Sequence, residues 1–478
     1  MRARPNILFV MTDHTNAQAL APGSQCLTPH LDALAAQGTR FEHCYTPNAI
    51  CSPARASLMT GLYPSTHGMW DCTHTQRREW LDIPPDRFTH FSRILADAGY
   101  RNAYFGKWHV EQSNQLERFG WHEYDLGCAH ARPRRLPGTE VIVPKAGYRD
   151  YLLAAVSEDD ALPSHPAFDR GIDFIHRHAS AQHGDRPFCC FISTSEPHDP
   201  YIPPKRFFER YDLPRIRVSP TLRDDPAGKP EIVRRMRAVW EGLSETDWQR
   251  ITAAYWASIT FLDHEVGRLL RALRETRQDE NTIIVFTSDH GDMLGGHGLA
   301  TKGIGTPYEE VYNIPLNMRV PGMAGPNPAT RTAATPDPAR HARVSTVDLG
   351  PTLLDLCGAP ALPGAQGRSI RPLLDGKWNP EEWDEAYAEF YGQRFVYTQR
   401  IVWHGDWKYI FSPGGTDELY HLGDDPHERH NLAEDPAFRE PLHAMAKRMW
   451  RKMRAIGDES LLKTEYATLR IAPVGPGD

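Results

Sequence analysis

The sequence predicts an α/β fold, because short apolar runs alternate along the chain with segments of helical periodicity. Four of the apolar runs pass directly into polar clusters, as strands do when they end at a functional crevice. Beyond about residue 376 the pattern changes to short strand-like pieces joined by turn residues and followed by one helix. We therefore expect a large unit over residues 1–375 and a smaller α+β unit over residues 376–478.

The individual elements follow from periodicity and from start and stop signals. The clearest helix is predicted from Glu245 to Arg274, where Ser244 and Asp247 resemble a capping box. Residues 321–339, rich in Pro, Ala, Gly and Thr, predict a long surface loop. The other predicted helices are Thr28–Gln37, Phe88–Ala98, Phe168–His178, Val344–Cys357 and Pro436–Ile456. The predicted strands are Asn6–Thr12, Thr39–Tyr45, Arg101–Phe105, Pro187–Ser193, Asn281–Thr287, Tyr397–Ile401, Trp407–Phe411 and Glu418–Leu422.

Composition narrows the class of protein. The chain has 478 residues and a formal net charge of −7, with no run of basic residues, which argues against nucleic-acid binding. No window holds the roughly 18 apolar residues that a membrane helix needs, and the opening run Ile7–Met11 is too short for a signal peptide. We therefore expect a cytoplasmic protein. The eight cysteines are scattered without a CxxC motif, which favours free thiols over a disulfide framework.

Polar clusters follow four of the predicted strands. Because the carboxyl ends of parallel strands meet at one edge of a sheet, these clusters are expected to converge in one crevice. One such cluster alone would be ordinary polarity at a strand end. The clusters are Asp13-His14, Lys107 with His109, His198, and Asp289-His290.

Cys51 is predicted to lie near a helix N-terminus, since Pro53 suits a first turn and helix-forming residues follow. The helix dipole and free N–H groups at such a terminus favour an anion, and Arg55 lies one turn further along the same face. On these grounds Cys51 is either a nucleophile of low pKa or an inert thiol.

At this point the sequence resembles the type I sulfatases, members of the alkaline-phosphatase superfamily. The resemblance rests on Cys51-x-Pro53-x-Arg55 followed by Ala-Ser-Leu-Met-Thr-Gly, and it runs through nearly the whole chain. It implies an alkaline-phosphatase-like sandwich with a large mixed, mostly parallel central sheet flanked by helices, plus a C-terminal α+β domain with a short antiparallel sheet. The other matching motifs are Gly106–His109, Pro197–Pro200, Ser288–Gly295, Lys302-Gly303, Trp407–Tyr409, Glu418–Tyr420, Asp425-Pro426, Glu428 and Asn431-Leu432.

The resemblance implies that Cys51 is oxidised to formylglycine, whose hydrate attacks the sulfur of a sulfate ester and then expels sulfate. Arg55 and Lys107 would orient the attacking hydroxyl, and His109 would be the base that releases sulfate. His198 and Lys302 would bind the sulfuryl oxygens and assist the leaving oxygen.

The resemblance also implies one divalent cation, held by Asp13, Asp289, His290 and an oxygen of the modified residue 51. Carboxylate oxygens suit Ca²⁺, which we expect first, or Mg²⁺, and the imidazole admits Mn²⁺. His14 stands where the family usually has a second acidic ligand. It can ligate, hydrogen-bond or point away, and the sequence leaves these alternatives open.

Two other functions compete with sulfate ester hydrolysis. A phosphonate monoester or phosphodiester hydrolase of the same superfamily would share most of the site, although Lys107 and His109 favour a sulfatase. A non-catalytic metal-binding relative would keep Cys51 as a thiol.

The expected partners are a small sulfate ester and a formylglycine-generating enzyme, with no nucleic acid and no membrane, and homo-oligomerisation is left open. Aryl, choline and sugar sulfates all remain candidates. The variable loops 70–86, 110–150 and 213–243 would decide among them, either as pocket lining or as packed surface. The first two contain Trp70, Trp80, Trp121, Tyr124, Arg132, Arg134 and Arg135.

Overall fold

The computed structural model describes residues 4–75, 88–131, 133–145, 149–180, 186–323, 342–394, 396–462 and 471–476. Among these residues, no helix combines the length and the apolar character needed to cross a membrane. The strands are β1 (Asn6–Thr12), β2 (Thr39–Tyr45), β3 (Arg101–Gly106), β4 (Glu123–Asp125), β5 (Val141–Val143), β6 (Tyr151–Ala154), β7 (Phe188–Ser193), β8 (Thr282–Ser288), β9 (Asn313–Arg319), β10 (Arg343–Ser345), β11 (Glu385–Phe390), β12 (Gln399–His404), β13 (Trp407–Phe411) and β14 (Glu418–His421).

Helices cover both faces of the larger sheet, as the α/β prediction requires. The helices of the described residues are α1 (Pro29–Gln37), α2 (Cys51–Thr60), α3 (Pro64–His67), α4 (Phe91–Asp97), α5 (Pro166–Ser180), α6 (Lys205–Phe208), α7 (Glu231–Ala238), α8 (Glu245–Glu275), α9 (Glu309–Tyr312), α10 (Leu349–Leu356), α11 (Arg371–Leu374) and α12 (Arg439–Ile456).

Within the described residues the larger sheet has eight strands in the order β10-β2-β9-β8-β1-β7-β3-β4. Strand β9 runs antiparallel to both of its neighbours, and the other pairs are parallel. This mixed, mostly parallel sheet confirms the predicted fold class. A separate antiparallel sheet of four strands, β11-β12-β13-β14, confirms the change of architecture toward the C-terminus.

The central strand β1 shows why the sheet is covered on both sides. Leu8 and Val10 pack into one apolar core, and Ile7, Phe9 and Met11 pack into the core on the opposite face. A strand buried on both faces is a continuous apolar run, which is the pattern of β1, β7 and β8. A third core lies between the small sheet and α12.

One predicted helix begins as a strand, and one predicted loop lies mostly outside the described residues. The segment predicted as one helix, Val344–Cys357, begins instead as strand β10, and only its second part is helical. Val344 pairs with Cys44 at the edge of the large sheet, so tertiary pairing overrides the local helical pattern. Most of the predicted loop 321–339 lies outside the described residues, as do Trp80 and Arg132. The boundary at residue 376 stays a prediction.

Candidate active site

The polar clusters that follow the strands meet at one edge of the large sheet. Strand β1 lies between β7 and β8, and β3 pairs with the other side of β7, all in parallel. Backbone hydrogen bonds join the strand ends, with the Lys107 N–H donating to the Ser193 carbonyl at 2.9 Å and the Asp289 N–H donating to the Thr12 carbonyl at 3.2 Å. The residues that end these strands, Asp13, Lys107 and Asp289, are thereby brought together.

Helix α2 brings residue 51 to this edge. Cys51 is the first residue of the helix, as predicted, and its side chain is buried against the strand ends. The Cys51 sulfur lies 3.2 Å from His290 Nε2 and 3.7 Å from Asp13 Oδ1. Lys302 Nζ lies 3.3 Å from the same sulfur. The side chain of residue 51 therefore stands between a carboxylate–imidazole group and an ammonium group.

Asp13, Cys51, Asp289 and His290 form a group that suits one divalent cation. Their ligand atoms all lie within 4.8 Å of one another, and all four side chains are buried. Two ligand atoms that each lie roughly 2.0–2.4 Å from one ion cannot be much more than about 4.8 Å from each other. The donor set of two carboxylates, one imidazole and one replaceable sulfur therefore fits the expected metal.

His14 lies beside this group and outside it. Its Nδ1 is 2.8 Å from Asp292 Oδ2, and its Nε2 is in close contact with Lys302 Nζ. Burial, together with the charge of Lys302, lowers the pKa of His14 well below its ordinary value. In this geometry His14 makes a hydrogen bond, and its ligand atom also lies within 4.8 Å of those of Asp13 and His198, so its part in metal binding stays a prediction.

Arg55 connects the strand ends from one turn further along α2. Its Nε donates to Asp289 Oδ2 at 2.8 Å, and one terminal nitrogen donates to Ser193 Oγ at 2.7 Å and to the Lys107 carbonyl at 2.9 Å. The other terminal nitrogen is buried without a hydrogen bond and lies 3.6 Å from Asp13 Oδ2. The guanidinium group thus binds three strand ends and keeps one donor free.

The charges of this cluster shift the acidity of residue 51. Burial opposes ionisation of Cys51, but a hydrogen bond with Cys72 and the charges of Lys107, Lys302 and His290 lower the pKa of its thiol well below the ordinary value. Burial also opposes ionisation of Asp13, yet Lys107, His198 and Lys302 lower the pKa of that carboxyl. The site therefore stabilises negative charge at residue 51.

The cluster opens into a pocket of about 740 Å³. The pocket is lined by Cys51, His109, His198 and Lys302, together with Cys72 and His74, which the sequence did not single out. The His109 and His74 rings stack with centroids 5.6 Å apart, and burial lowers the pKa of His109 so that its imidazole is neutral. His198 Nε2 lies 3.3 Å from Lys302 Nζ.

Cys72 and His74 belong to loop 70–86, which the sequence offered as possible pocket lining, and the fold places both side chains in the pocket. His67 Nε2 lies 2.9 Å from Ser57 Oγ of α2, and His67 does not line the pocket.

The variable loops contribute unequally to the pocket. Of the third loop, Met236, Val239 and Trp240 line it, and Lys145 comes from the second. Trp121 is buried in the apolar core, whereas Trp70 and Tyr124 are exposed outside the pocket. Where the structure describes them, these aromatic residues of the first two loops therefore lie in the core or on the surface and do not line the pocket.

The chain is similar to families and proteins of known kind. The family model described as Sulfatase matches residues 5–359, and that described as N-sulphoglucosamine sulphohydrolase, C-terminal, matches residues 295–455. A choline-sulfatase of Rhizobium meliloti (strain 1021) is 30% identical over 473 residues, which covers 95% of this chain and 86% of that protein.

Two solved structures show the same fold at lower identity. The structure of BT1596, a 2-O GAG sulfatase, is 22% identical with a TM-score of 0.75 and covers 98% of this chain and 94% of its own. The phosphonate monoester hydrolase SpPMH of Silicibacter pomeroyi is 22% identical with a TM-score of 0.74, covering 96% and 97%. The fold by itself therefore does not distinguish these two activities.

Proposed function

The chain belongs to the sulfatase family and hydrolyses sulfate esters, and we propose that it does so with a formylglycine made from Cys51 and one divalent cation. The position of the Cys51 side chain carries this proposal. It lies 3.2 Å from His290 Nε2 and 3.3 Å from Lys302 Nζ, within a group that can hold a cation. An oxygen nucleophile at this atom would face both the cation and the ammonium group that receives the sulfuryl oxygens.

Asp13, Asp289, His290 and the modified residue 51 would hold the cation. When bound, it would act as a Lewis acid that polarises the sulfuryl group. We propose Ca²⁺, with Mg²⁺ and Mn²⁺ as alternatives, because oxygen ligands predominate in the set. Activity restored to chelator-treated protein by Ca²⁺, and less by Mg²⁺ or Mn²⁺, would support this order, and the reverse order would contradict it.

A hydrated aldehyde at residue 51 would offer one hydroxyl for attack on sulfur and a second hydroxyl whose deprotonation would let sulfate leave. Lys107 and Arg55 orient the first hydroxyl, and Lys302 and His198 contact the sulfuryl oxygens. His198 or Lys302 gives a proton to the departing alcohol oxygen, and the neutral His109 accepts the proton of the second hydroxyl. The lowered pKa of His109 leaves its imidazole unprotonated for this step at neutral pH.

Mass spectrometry of the peptide that contains residue 51 tests the nucleophile. Conversion replaces sulfur by oxygen and removes two hydrogens, so the peptide becomes lighter than its cysteine form. Protein made together with a formylglycine-generating enzyme is the material to use, and Cys51→Ala is the inactive control. Full activity in protein whose Cys51 remains a thiol would overturn the proposal.

Kinetics on several substrates test the reaction class. We expect kcat/KM for an aryl sulfate to exceed that for the matching aryl phosphonate monoester, because Lys107 and His109 belong to the sulfatase pattern. A much larger value for the phosphonate would favour the runner-up, a phosphonate monoester or phosphodiester hydrolase.

Choline sulfate and a sulfated monosaccharide complete the substrate panel. Tyr151 and Trp240 line the pocket, and aromatic faces bind quaternary ammonium groups. The small size of the substrate, the cytoplasmic location, the maturation enzyme and the oligomeric state remain predictions.

A further inference from the structure

A second buried polar cluster lies between the catalytic loops and the small antiparallel sheet. His297, Glu310 and Glu428 present ligand atoms that all lie within 4.8 Å of one another. Their exposed fractions are 4%, 5% and 1%, so all three side chains are buried. His297 lies eight residues after Asp289, Glu310 belongs to α9, and Glu428 follows β14. The cluster thus joins three separate segments of the chain.

Two of these side chains have buried polar atoms without a hydrogen-bond partner. His297 Nε2 and Glu310 Oε2 are both inaccessible and unpaired. Buried polar atoms in folded proteins are nearly always satisfied, by protein, by ordered water or by an ion. Both atoms belong to side chains of the group whose ligand atoms lie within 4.8 Å of one another.

The charged side chains around the cluster carry an excess of negative charge. Lys408 Nζ lies 2.6 Å from Glu428 Oε1 and 3.1 Å from Glu309 Oε1, while Lys229 Nζ donates to the Tyr420 hydroxyl at 2.7 Å and to the Glu428 carbonyl. Within this set four carboxyl groups share two ammonium groups, and the Arg237 guanidinium and the Asp425 carboxyl add one charge of each sign nearby. A single divalent cation would balance the remaining excess of negative charge. The carboxyl groups are Glu309, Glu310, Glu418 and Glu428, and the ammonium groups are Lys229 and Lys408.

A cavity of about 360 Å³ reaches the cluster from the surface. Glu310 and His427 both line it, so an ion and its remaining water ligands have a route inward. The catalytic cluster uses the other pocket, which shares no lining residue with this cavity.

We propose that His297, Glu310 and Glu428 bind a second divalent cation of the Zn²⁺ class, apart from the catalytic one. One imidazole with two carboxylates is a donor set that Zn²⁺ accepts, with water in the fourth position. The Glu310 carbonyl accepts a hydrogen bond from the Asp292 N–H at 3.0 Å, so the ion would fasten the small sheet to the loop that carries Asp289 and His290. The site is structural, and it does not depend on the chemistry at residue 51.

Metal content is the direct test. Protein stripped with a chelator is saturated with Ca²⁺, incubated with Zn²⁺, passed through a desalting column and analysed for bound zinc. We expect the wild-type protein to retain zinc and Glu310→Gln to retain one equivalent less. Glu418→Gln is the matched control, because Glu418 belongs to the same network but not to the ligand group. It should retain as much zinc as the wild type.

Thermal unfolding gives a second measurement. Zn²⁺ should raise the Tm of the stripped wild-type protein and of Glu418→Gln, but not that of Glu310→Gln. Absence of zinc from the wild-type protein, or equal zinc in wild type and Glu310→Gln, would overturn the proposal. If Glu310→Gln does not fold, His297→Gln replaces it under the same criteria. Failure of this proposal would leave the formylglycine assignment untouched, because the mass of the residue-51 peptide is measured separately.

Discussion

The catalytic cluster and the cluster around His297 both combine carboxyl, imidazole and ammonium groups, yet the first opens onto a pocket and the second is buried. Around Cys51, Lys302 lines an open pocket of about 740 Å³ and can receive the oxygens of an anion. Around His297, carboxyl groups outnumber ammonium groups, and the unpaired atoms are buried. The sign of the unpaired charge and its access to solvent distinguish the two regions.

The comparison also explains how a chain of net charge −7 accepts an anionic ester. Net charge describes the whole surface, whereas a pocket responds to the few groups that line it. Part of the acidic excess is buried in the cluster around His297, away from the substrate. Predictions about the two regions can therefore be separated into effects on catalysis and effects on stability.

The largest effect is expected from Lys302→Met. The change removes the ammonium group 3.3 Å from the Cys51 sulfur and should lower kcat/KM for an aryl sulfate by about 10³-fold. Steady-state kinetics on protein with verified formylglycine, together with the Tm, would measure this. A loss below tenfold would show that Lys302 does not contact the reacting group.

Lys229→Met tests the other region. The Lys229 ammonium group is buried and bonded to Tyr420 and Glu428, so its removal leaves carboxylates without compensation. We expect the free energy of unfolding to fall by about 3 kcal/mol, while kcat stays nearly unchanged. Denaturant unfolding would measure the loss. A fall in kcat as large as that for Lys302→Met would contradict the separation between the regions.

Asp263, which lies outside both clusters, should make the stability of the protein depend on pH. It accepts hydrogen bonds from the Leu31 and His30 N–H groups, and burial raises its pKa to about 7. Between roughly pH 4 and 7 the folded chain keeps a proton that the unfolded chain has lost, so this carboxyl contributes less stability as pH rises.

The free energy of unfolding of the wild-type protein should therefore fall between pH 5 and pH 8. Asp263→Asn should make this fall smaller by on the order of 3 kcal/mol. Urea titrations of both proteins across this range provide the comparison. An unchanged slope would mean that Asp263 titrates near its ordinary value.

The smallest effect is expected from Ser244→Ala. Ser244 and Asp247 form a capping box at the start of α8, in which they bond to each other and not to either cluster. Its loss should cost about 1 kcal/mol of stability and leave kcat/KM unchanged. A change in activity here would indicate that α8 transmits strain to the catalytic edge.

Much of the fold could be predicted because its signals are local. Strand β1 and strand β2 have the predicted bounds, and α8 extends one residue beyond its predicted end. Strand β10 was missed because its three residues form a strand only through pairing with β2. Cys72 and His74 were not named individually, because the sequence offered loop 70–86 as possible pocket lining without indicating which of its side chains face the pocket.

The sequence by itself determined the family, the α/β class and the candidate residues at the strand ends, since motifs and periodicity are written in consecutive residues. Only the tertiary structure decided which of these residues meet: His14 with Asp292, Arg55 with three strand ends, and His297 with Glu310 and Glu428. The physical reason is that charge, burial and access to solvent are properties of neighbours in space, and distant segments become neighbours only when the sheet and the cores are complete.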